Sequence, residues 1–264
     1  MEHFIWDVDP ILISFGSLEV RWYGFLFALN FLVGLKIMEW IYKREKKDPK
    51  DLDTLMIYMI IGTAVGARLV HTLFYEPAYY LEHPLEILMI WKAGLASHGA
   101  LAGILIAIYL YAKRYNESYI WLLSRITIPG ALAAGSVRIA NLFNSEILGK
   151  PSDVPWAIIF KKVDMIPRHP VQIYEALAYF SIFVMLVTVY RKVDRDFATK
   201  LLPGLFLITL FCARFMLEFT KTRQAMYSLD IPFSTGQLLS IPFIIVGIIF
   251  VILAFKSKTN LKKL

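Results

Sequence analysis

Residues 119–150 read YIWLLSRITIPGALAAGSVRIANLFNSEILGK, a segment that begins as an apolar helix and ends in polar side chains. The polar side chains of this ending belong to Arg138, Asn141, Asn144 and Glu146. Arg138 and Asn141 are three residues apart, so a helix presents both on one face, and Gly149-Lys150-Pro151 then breaks the helix. Because a charge near the hydrocarbon centre of a bilayer costs about 2.5–3.5 kcal/mol, this cluster predicts partners, water or a polar ligand.

The whole chain has the composition of a membrane protein. Of its 264 residues, 58% are hydrophobic and 19% are charged, and the mean hydropathy is +0.57. Apolar runs near the length of about 20 residues that crosses a bilayer lie at Trp22–Tyr42, Leu55–Tyr75, Gly94–Ala112, Tyr119–Leu142, Val171–Tyr190, Leu201–Phe219 and Gln237–Phe255. We therefore predict an all-α integral membrane protein with seven transmembrane helices. Since no linker or repeat divides the chain, we expect a single domain over residues 1–264.

Basic residues predict the orientation of these helices. Clusters of Lys and Arg follow the first, third and fifth runs and close the chain, at residues 43–47, 113–114, 191–195 and 256–263. Because such clusters favour cytoplasmic loops, the N-terminus is expected outside and the C-terminus in the cytoplasm. The loop region between helices 4 and 5, residues 144–170, then lies outside the cytoplasm. Basic loops that meet anionic lipid headgroups explain the net charge of +7, so no nucleic-acid partner is expected.

The chain offers little for metal or thiol chemistry. Cys212 is the single cysteine, which excludes an intrachain disulfide and a cysteine-based metal site. The histidines are scattered, and the sequence has no HExxH, P-loop or GxGxxG pattern. We therefore expect no metal and no organic cofactor, and a small apolar packing role for Cys212.

Isolated polar side chains fall at span ends that face one side in this topology. They are Tyr23, His98, Arg138, Asn141, Arg214 and Glu218. Because these helix ends would lie at the same depth in the bilayer, their side chains would together line a polar cavity. Arg214 and Glu218 are four residues apart and can pair on one helix face, which also fits a purely structural ion pair. His98 alone also fits a hydrogen-bonded residue at a helix start, and Arg68 and Arg125 are interpreted as snorkelling residues.

Several ordered motifs give the chain a family resemblance. The segment RIANLFNSEILG, residues 138–149, resembles the signature of the bacterial phosphatidylglycerol:prolipoprotein diacylglyceryl transferases. Other blocks similar to that family occur in order as RWYGFLFAL (21–29), GARLVHTLFY (66–75), SHGALAG (97–103), RHPVQIYEAL (168–177), ARFMLEF (213–219) and GQLLSIP (236–242). Departures from the family pattern occur at Val137, Ala140 and Ala100, where glycine is usual, and at Lys221, where some relatives have arginine.

The resemblance implies transfer of the diacylglyceryl group of phosphatidylglycerol to the thiol of a lipobox cysteine in the signal peptide of a preprolipoprotein. A thioether forms and glycerol phosphate leaves, in a multi-pass protein of the bacterial cytoplasmic (inner) membrane. The resemblance implies catalytic roles for His98 as base and for Arg138 and Arg214 as phosphate-binding cations. Substrate binding is assigned to Tyr23, Arg138, Asn141, Asn144, Glu146, Gly149 and Glu218.

Two other classes of function fit the membrane composition. A transporter for an anionic solute or lipid would also line a cavity with arginine, although no paired repeats are visible. A non-enzymatic lipid-binding scaffold would keep the spans but would have little need for His98, Arg138 and Arg214 together. Formation of thioether-linked lipid on a lipobox peptide discriminates among the three.

Overall fold

Apolar helices dominate the computed structural model, which describes residues 2–16, 18–89, 94–222 and 233–261. In this part of the chain, six helical segments are long and apolar enough to cross a membrane, namely Trp22–Arg44, Leu52–Tyr75, Tyr119–Phe143, Val171–Lys192, Arg195–Thr220 and Thr235–Ser257. These helices confirm the prediction of a helical integral membrane protein. The third predicted run forms a helix at Ser97–Tyr115, but that helix is not among the six. This helix of 19 residues begins with Ser97 and His98 and carries Lys113 and Arg114 in its last turn.

The helices have the following bounds, numbered along the chain. They are α1 (Trp22–Arg44), α2 (Leu52–Val70), α3 (Pro77–Glu82), α4 (Ser97–Tyr115), α5 (Tyr119–Phe143), α6 (Val171–Lys192), α7 (Arg195–Leu217) and α8 (Thr235–Leu261). A π-helical turn, His71–Tyr75, continues α2, and 3₁₀ turns lie at Pro84–Leu88 and Glu218–Thr220.

Short strands, which were not predicted from the sequence, lie outside these helices. They are β1 (Phe4–Trp6), β2 (Ile11–Phe15), β3 (Leu18–Arg21), β4 (Ile158–Phe160) and β5 (Pro167–Arg168). Strands β2 and β3 form an antiparallel hairpin. Strand β4 lies between β1, its parallel partner, and β5, its antiparallel partner. The pairing of Phe4 with Ile158 thus ties the N-terminal segment to the loop region between α5 and α6.

The chain divides into two compact units. The first comprises the residues up to Gly34 and those from Ser124 onward, and the second comprises Leu35–Leu123. In the second unit α2 and α4 pack at glycines, because a Cβ atom at Gly99 would lie 2.2 Å from the Gly66 carbonyl oxygen. Backbones approach this closely only where side chains are absent.

Two buried arginines correct the snorkelling interpretation. Arg125, in the first unit, is fully buried, and Arg68, in the second unit, is 2% exposed. Both guanidinium groups donate hydrogen bonds to protein oxygen atoms, so neither side chain has to reach an interface for its charge to be satisfied.

Candidate functional site

The polar cluster predicted at the end of α5 forms a chain of hydrogen bonds. Arg138 Nη1 donates to Asn141 Oδ1 at 3.0 Å, and Asn141 Nδ2 donates to Glu146 Oε2 at 3.0 Å. Asn144 Nδ2 donates to the other carboxylate oxygen of Glu146 at 2.9 Å. The backbone curls back over the helix end through Ser145, whose φ is 54°. The structure therefore brings all four predicted side chains together.

Glu175 of α6 is the centre of the site and was not selected from the sequence. Its side chain is fully buried, and one carboxylate oxygen accepts hydrogen bonds from Lys221 Nζ at 2.8 Å and from the Tyr179 hydroxyl at 3.3 Å. Its other oxygen lies 3.2 Å from Arg138 Nε. A carboxylate inside an apolar span was the signal available in RHPVQIYEAL, since such a residue is a functional candidate by default.

Gly149 brings Lys221 to the cluster. The two residues form an isolated antiparallel β-bridge, flanked by a hydrogen bond of 2.8 Å from the Lys150 amide to the Thr220 carbonyl. A Cβ atom at position 149 would lie 2.2 Å from the carbonyl oxygen of His169. Gly149 therefore permits a close backbone approach that any side chain would prevent.

The predicted pairing of Arg214 with Glu218 does not form. Glu218 instead begins a 3₁₀ turn, Glu218–Thr220, and its carboxylate lies 3.3 Å from Lys221 Nζ. Arg214 is half-buried, and its guanidinium has no hydrogen bond or ion pair within residues 2–16, 18–89, 94–222 and 233–261. Both Arg138 and Arg214 lie near enough to the Tyr179 hydroxyl for their charges to act on it.

Tyr23 lies beside the same cluster, next to a group of packed aromatic rings. Its neighbour Trp22 stacks on Phe143, the last residue of α5, with ring centroids 4.5 Å apart and planes 11° apart. Trp6 of β1 contacts the same ring with a centroid distance of 5.8 Å. The Tyr23 hydroxyl lies near enough to Glu146 and Arg138 for their charges to act on it.

Hydrogen bonding in the cluster is incomplete. Arg138 Nε, Glu175 Oε2 and Glu218 Oε2 are buried and make no hydrogen bond to the described residues, because the ion pairs at these atoms fall outside hydrogen-bond geometry. Unsatisfied buried polar atoms are costly and few in native proteins. Each of these three atoms nonetheless faces an opposite charge at 3.2 or 3.3 Å, whereas Arg138 Nη2 makes no hydrogen bond to the described residues and is the donor left for a ligand.

His98 lies in the second compact unit. It is the second residue of α4 and is exposed, and its ring makes no hydrogen bond to the part of the chain that the structure describes. Within the described residues, the alternative role of His98 as a hydrogen-bonded residue at the helix start is therefore not observed.

The fold and the cluster together define an integral membrane protein with a charged site among apolar helices. Residues 10–253 match the family model described as prolipoprotein diacylglyceryl transferase. The chain therefore belongs to the prolipoprotein diacylglyceryl transferase family, which confirms the resemblance of its motifs.

Curated relatives are similar to this chain over almost their whole length. A phosphatidylglycerol–prolipoprotein diacylglyceryl transferase of Chloroherpeton thalassium is 51% identical over 97% of this chain and 96% of the relative. Proteins with the same name from Tolumonas auensis and Porphyromonas gingivalis are 48% and 40% identical. Each of these two matches covers 97% of this chain, and they cover 99% and 96% of the respective relatives.

Proposed function

We propose that this chain transfers the diacylglyceryl group of phosphatidylglycerol to the lipobox cysteine of preprolipoprotein signal peptides. Family membership and the names of relatives up to 51% identical support the reaction and both substrates. The single observation that carries the site is Arg138, whose Nε and Nη1 are held by Glu175 and Asn141 while its Nη2 makes no hydrogen bond to the described residues.

The reaction exchanges one bond for another at a glycerol carbon. The cysteine sulfur attacks the carbon that bears the phosphate ester, a C–S bond forms, and the C–O bond breaks. The departing glycerol phosphate takes the electron pair of the broken bond. The thiol proton must leave because thiolate is the nucleophile.

Cationic side chains stabilise the charge that gathers on the leaving phosphate. Arg138 and Arg214 are the proposed phosphate-binding residues, since guanidinium groups form strong, directional hydrogen bonds to phosphate oxygens. Arg214 has no carboxylate partner in the described residues, whereas Lys221 is held by Glu175 and Glu218. A charged donor fixed in a site that excludes water is worth far more to the transition state than one in solution.

The remaining predicted residues have supporting roles in this proposal. Asn141, Asn144 and Tyr23 contact phosphate or glycerol oxygens, Glu146 orients the two amides, and Gly149 permits the turn. His98 accepts the thiol proton, since imidazole is the natural base near neutral pH. Glu218 orients Lys221 rather than Arg214, consistent with its observed ion pair. No metal or organic cofactor enters the reaction.

The membrane arrangement is part of the proposal. We infer seven crossings in one domain of the bacterial inner membrane, with the N-terminus outside and the C-terminus in the cytoplasm. Helix α4 supplies the seventh crossing, because its 19 residues span about 28 Å at 1.5 Å each, close to the thickness of the hydrocarbon core. Its glycine contacts with α2 support the same assignment, since close glycine packing is typical of helices in lipid.

A product assay tests this function against its alternatives. Purified protein in phosphatidylglycerol vesicles is mixed with a lipobox peptide, and thioether-linked peptide and free glycerol phosphate are measured. Equal amounts of both products, and none from a peptide with serine in place of the cysteine, are expected. Solute uptake without product would instead identify a transporter, and lipid binding alone a scaffold.

A further inference from the structure

Arg68 is a buried cation of α2 for which the proposed chemistry has no use. Its side chain is 2% exposed, inside one of the apolar segments. The guanidinium donates to three backbone carbonyls of the segment before α4, from Nε to Ile87 at 3.2 Å, from Nη1 to Gly94 at 3.1 Å and from Nη2 to Glu86 at 2.5 Å. One planar group therefore holds the backbone at Glu86 and Ile87 and again at Gly94.

Further contacts hold the same segment against the end of α2. The His71 ring packs on Gly94 so closely that a Cβ atom there would lie 2.3 Å from Nε2. Gly94 adopts a φ of +106°, which favours glycine. Two residues later, the Ala96 amide donates to the Ala67 carbonyl at 3.0 Å. The backbone that enters α4 is thus fixed to α2 at several consecutive points.

These contacts end two residues before His98. Helix α4 begins at Ser97, and the following Gly99 lies against Gly66 of α2. The His98 backbone is therefore bounded on both sides by residues that α2 holds. Since the His98 side chain makes no hydrogen bond to the described residues, its placement depends on this backbone.

We propose that Arg68 is a positioning residue that fixes His98 for proton transfer. The α2–α4 pair is already packed by glycines, and a buried guanidinium is an expensive way to add stability. What the fork adds is a fixed position for the backbone of Glu86, Ile87 and Gly94, the last of which lies four residues before His98. This inference rests on the proposed function, in which His98 accepts the thiol proton.

A double-mutant cycle in the thioether assay tests the proposal. Arg68→Lys keeps the charge but loses the planar fork, so kcat is expected to fall about 10- to 100-fold, since a misplacement of 1 Å can cost about 100-fold. The KM for phosphatidylglycerol is expected to change less than about twofold. In a His98→Gln background, Arg68→Lys is expected to cost less than about threefold, because the two residues act through one step. An equal loss in both backgrounds, or a loss confined to KM, overturns the proposal.

Two further variants keep the test independent of folding. Gly94→Ala disturbs the segment through the His71 ring without changing a charge, and it should show the same coupling to His98→Gln. Arg125→Lys alters a fully buried arginine of another helix, so its loss should be equal in both backgrounds. Full activity of His98→Gln alone would refute this inference but leave the transferase reaction intact. Absence of product from the unaltered protein would refute the proposed function itself.

Discussion

Helix α5 carries two arginines, the fully buried Arg125 and the half-buried Arg138, whose guanidinium groups differ in how completely they are hydrogen-bonded. Near its start, Arg125 is fully buried and donates from Nη1 to the hydroxyls of Ser124 and Thr199 and from Nη2 to the carbonyl of Arg195. Its guanidinium also lies 5.6 Å from the centroid of the Tyr190 ring. These partners belong to α5 and to the beginning or end of its neighbours, so Arg125 ties helices together.

Near the end of the same helix, Arg138 is held but not saturated. Its one hydrogen bond to the described residues goes to Asn141, and its Nε faces Glu175 without forming a second one. We therefore infer that two arginines in the same apolar helix differ in function according to the partners that the fold supplies. A saturated guanidinium holds the structure, whereas an unsaturated one is available to a ligand.

The largest expected effect comes from Arg138→Ala. We expect the rate of transfer to fall about 1000-fold, the upper end of the loss when one charge-stabilising donor is removed. Membrane insertion should persist, and the midpoint of thermal unfolding should fall less than in Arg125→Ala, because Lys221 still pairs with the buried Glu175. The measurement is thioether formation by protein of verified folding. Undiminished turnover would remove phosphate binding by Arg138 from the mechanism.

Arg125→Ala should show the reverse pattern. The change leaves several buried oxygen atoms without a donor, at about 1–3 kcal/mol for each unsatisfied group, so stability should fall markedly. The folded fraction should transfer lipid within about threefold of the normal kcat. Denaturant unfolding in detergent and kcat per folded molecule check both parts. A 1000-fold loss of kcat with normal stability would invert the comparison.

The sequence predicted the neighbours of Arg138 that lie close to it in the chain. Asn141, Asn144 and Glu146 lie within eight residues of Arg138, so helix periodicity alone placed them together. Glu175 and Lys221 lie on other elements, and their proximity depends on helix packing and on the β-bridge to Gly149. The snorkelling interpretation of Arg125 failed for the same reason, because its partner Thr199 is distant in sequence. No local sequence pattern predicted the pairing of β1 with β4 either.

Glu175→Gln should have an intermediate effect. The amide keeps the shape of the side chain but removes the charge that compensates Arg138 and Lys221 in a buried environment. We expect transfer to fall about 10- to 100-fold, because a buried cation without its partner loses its fixed position. Steady-state kinetics with phosphatidylglycerol as the varied substrate measure the loss. Normal kinetics would show that Glu175 does not organise the two cations.

Arg168 extends the comparison to a third arginine, outside the apolar helices. It donates to the Asp164 carboxylate and to the Gly149 carbonyl, and the hydrogen bond from Arg168 holds the pKa of Asp164 below its ordinary value. The pair therefore stabilises the fold fully above about pH 4, and this contribution is lost as pH falls through the lowered pKa. Unfolding midpoints of Asp164→Asn should vary less with pH in acid than those of the unaltered protein. Parallel pH profiles would contradict this role.

Cys212→Ser should have the smallest effect. Cys212 is half-buried on α7 and is interpreted as a small packing residue, so activity should stay within about twofold. The thioether assay measures it beside the unaltered protein. A large loss in a folded variant would point to a reactive thiol and would contradict a reaction whose only thiol comes from the peptide.

Ligand-induced stabilisation tests most directly whether the two arginines of α5 differ as proposed. The thermal midpoint of the detergent-solubilised protein is measured with phosphatidylglycerol and, as a control without the phosphate, with diacylglycerol. The proteins compared are the unaltered chain and the alanine variants of Arg138 and Arg125. Because a ligand of the native state raises its stability, phosphatidylglycerol alone should raise the midpoint of the unaltered chain and of Arg125→Ala, and it should not raise that of Arg138→Ala. An equal rise in the Arg138 variant would show that this arginine does not hold the phosphate.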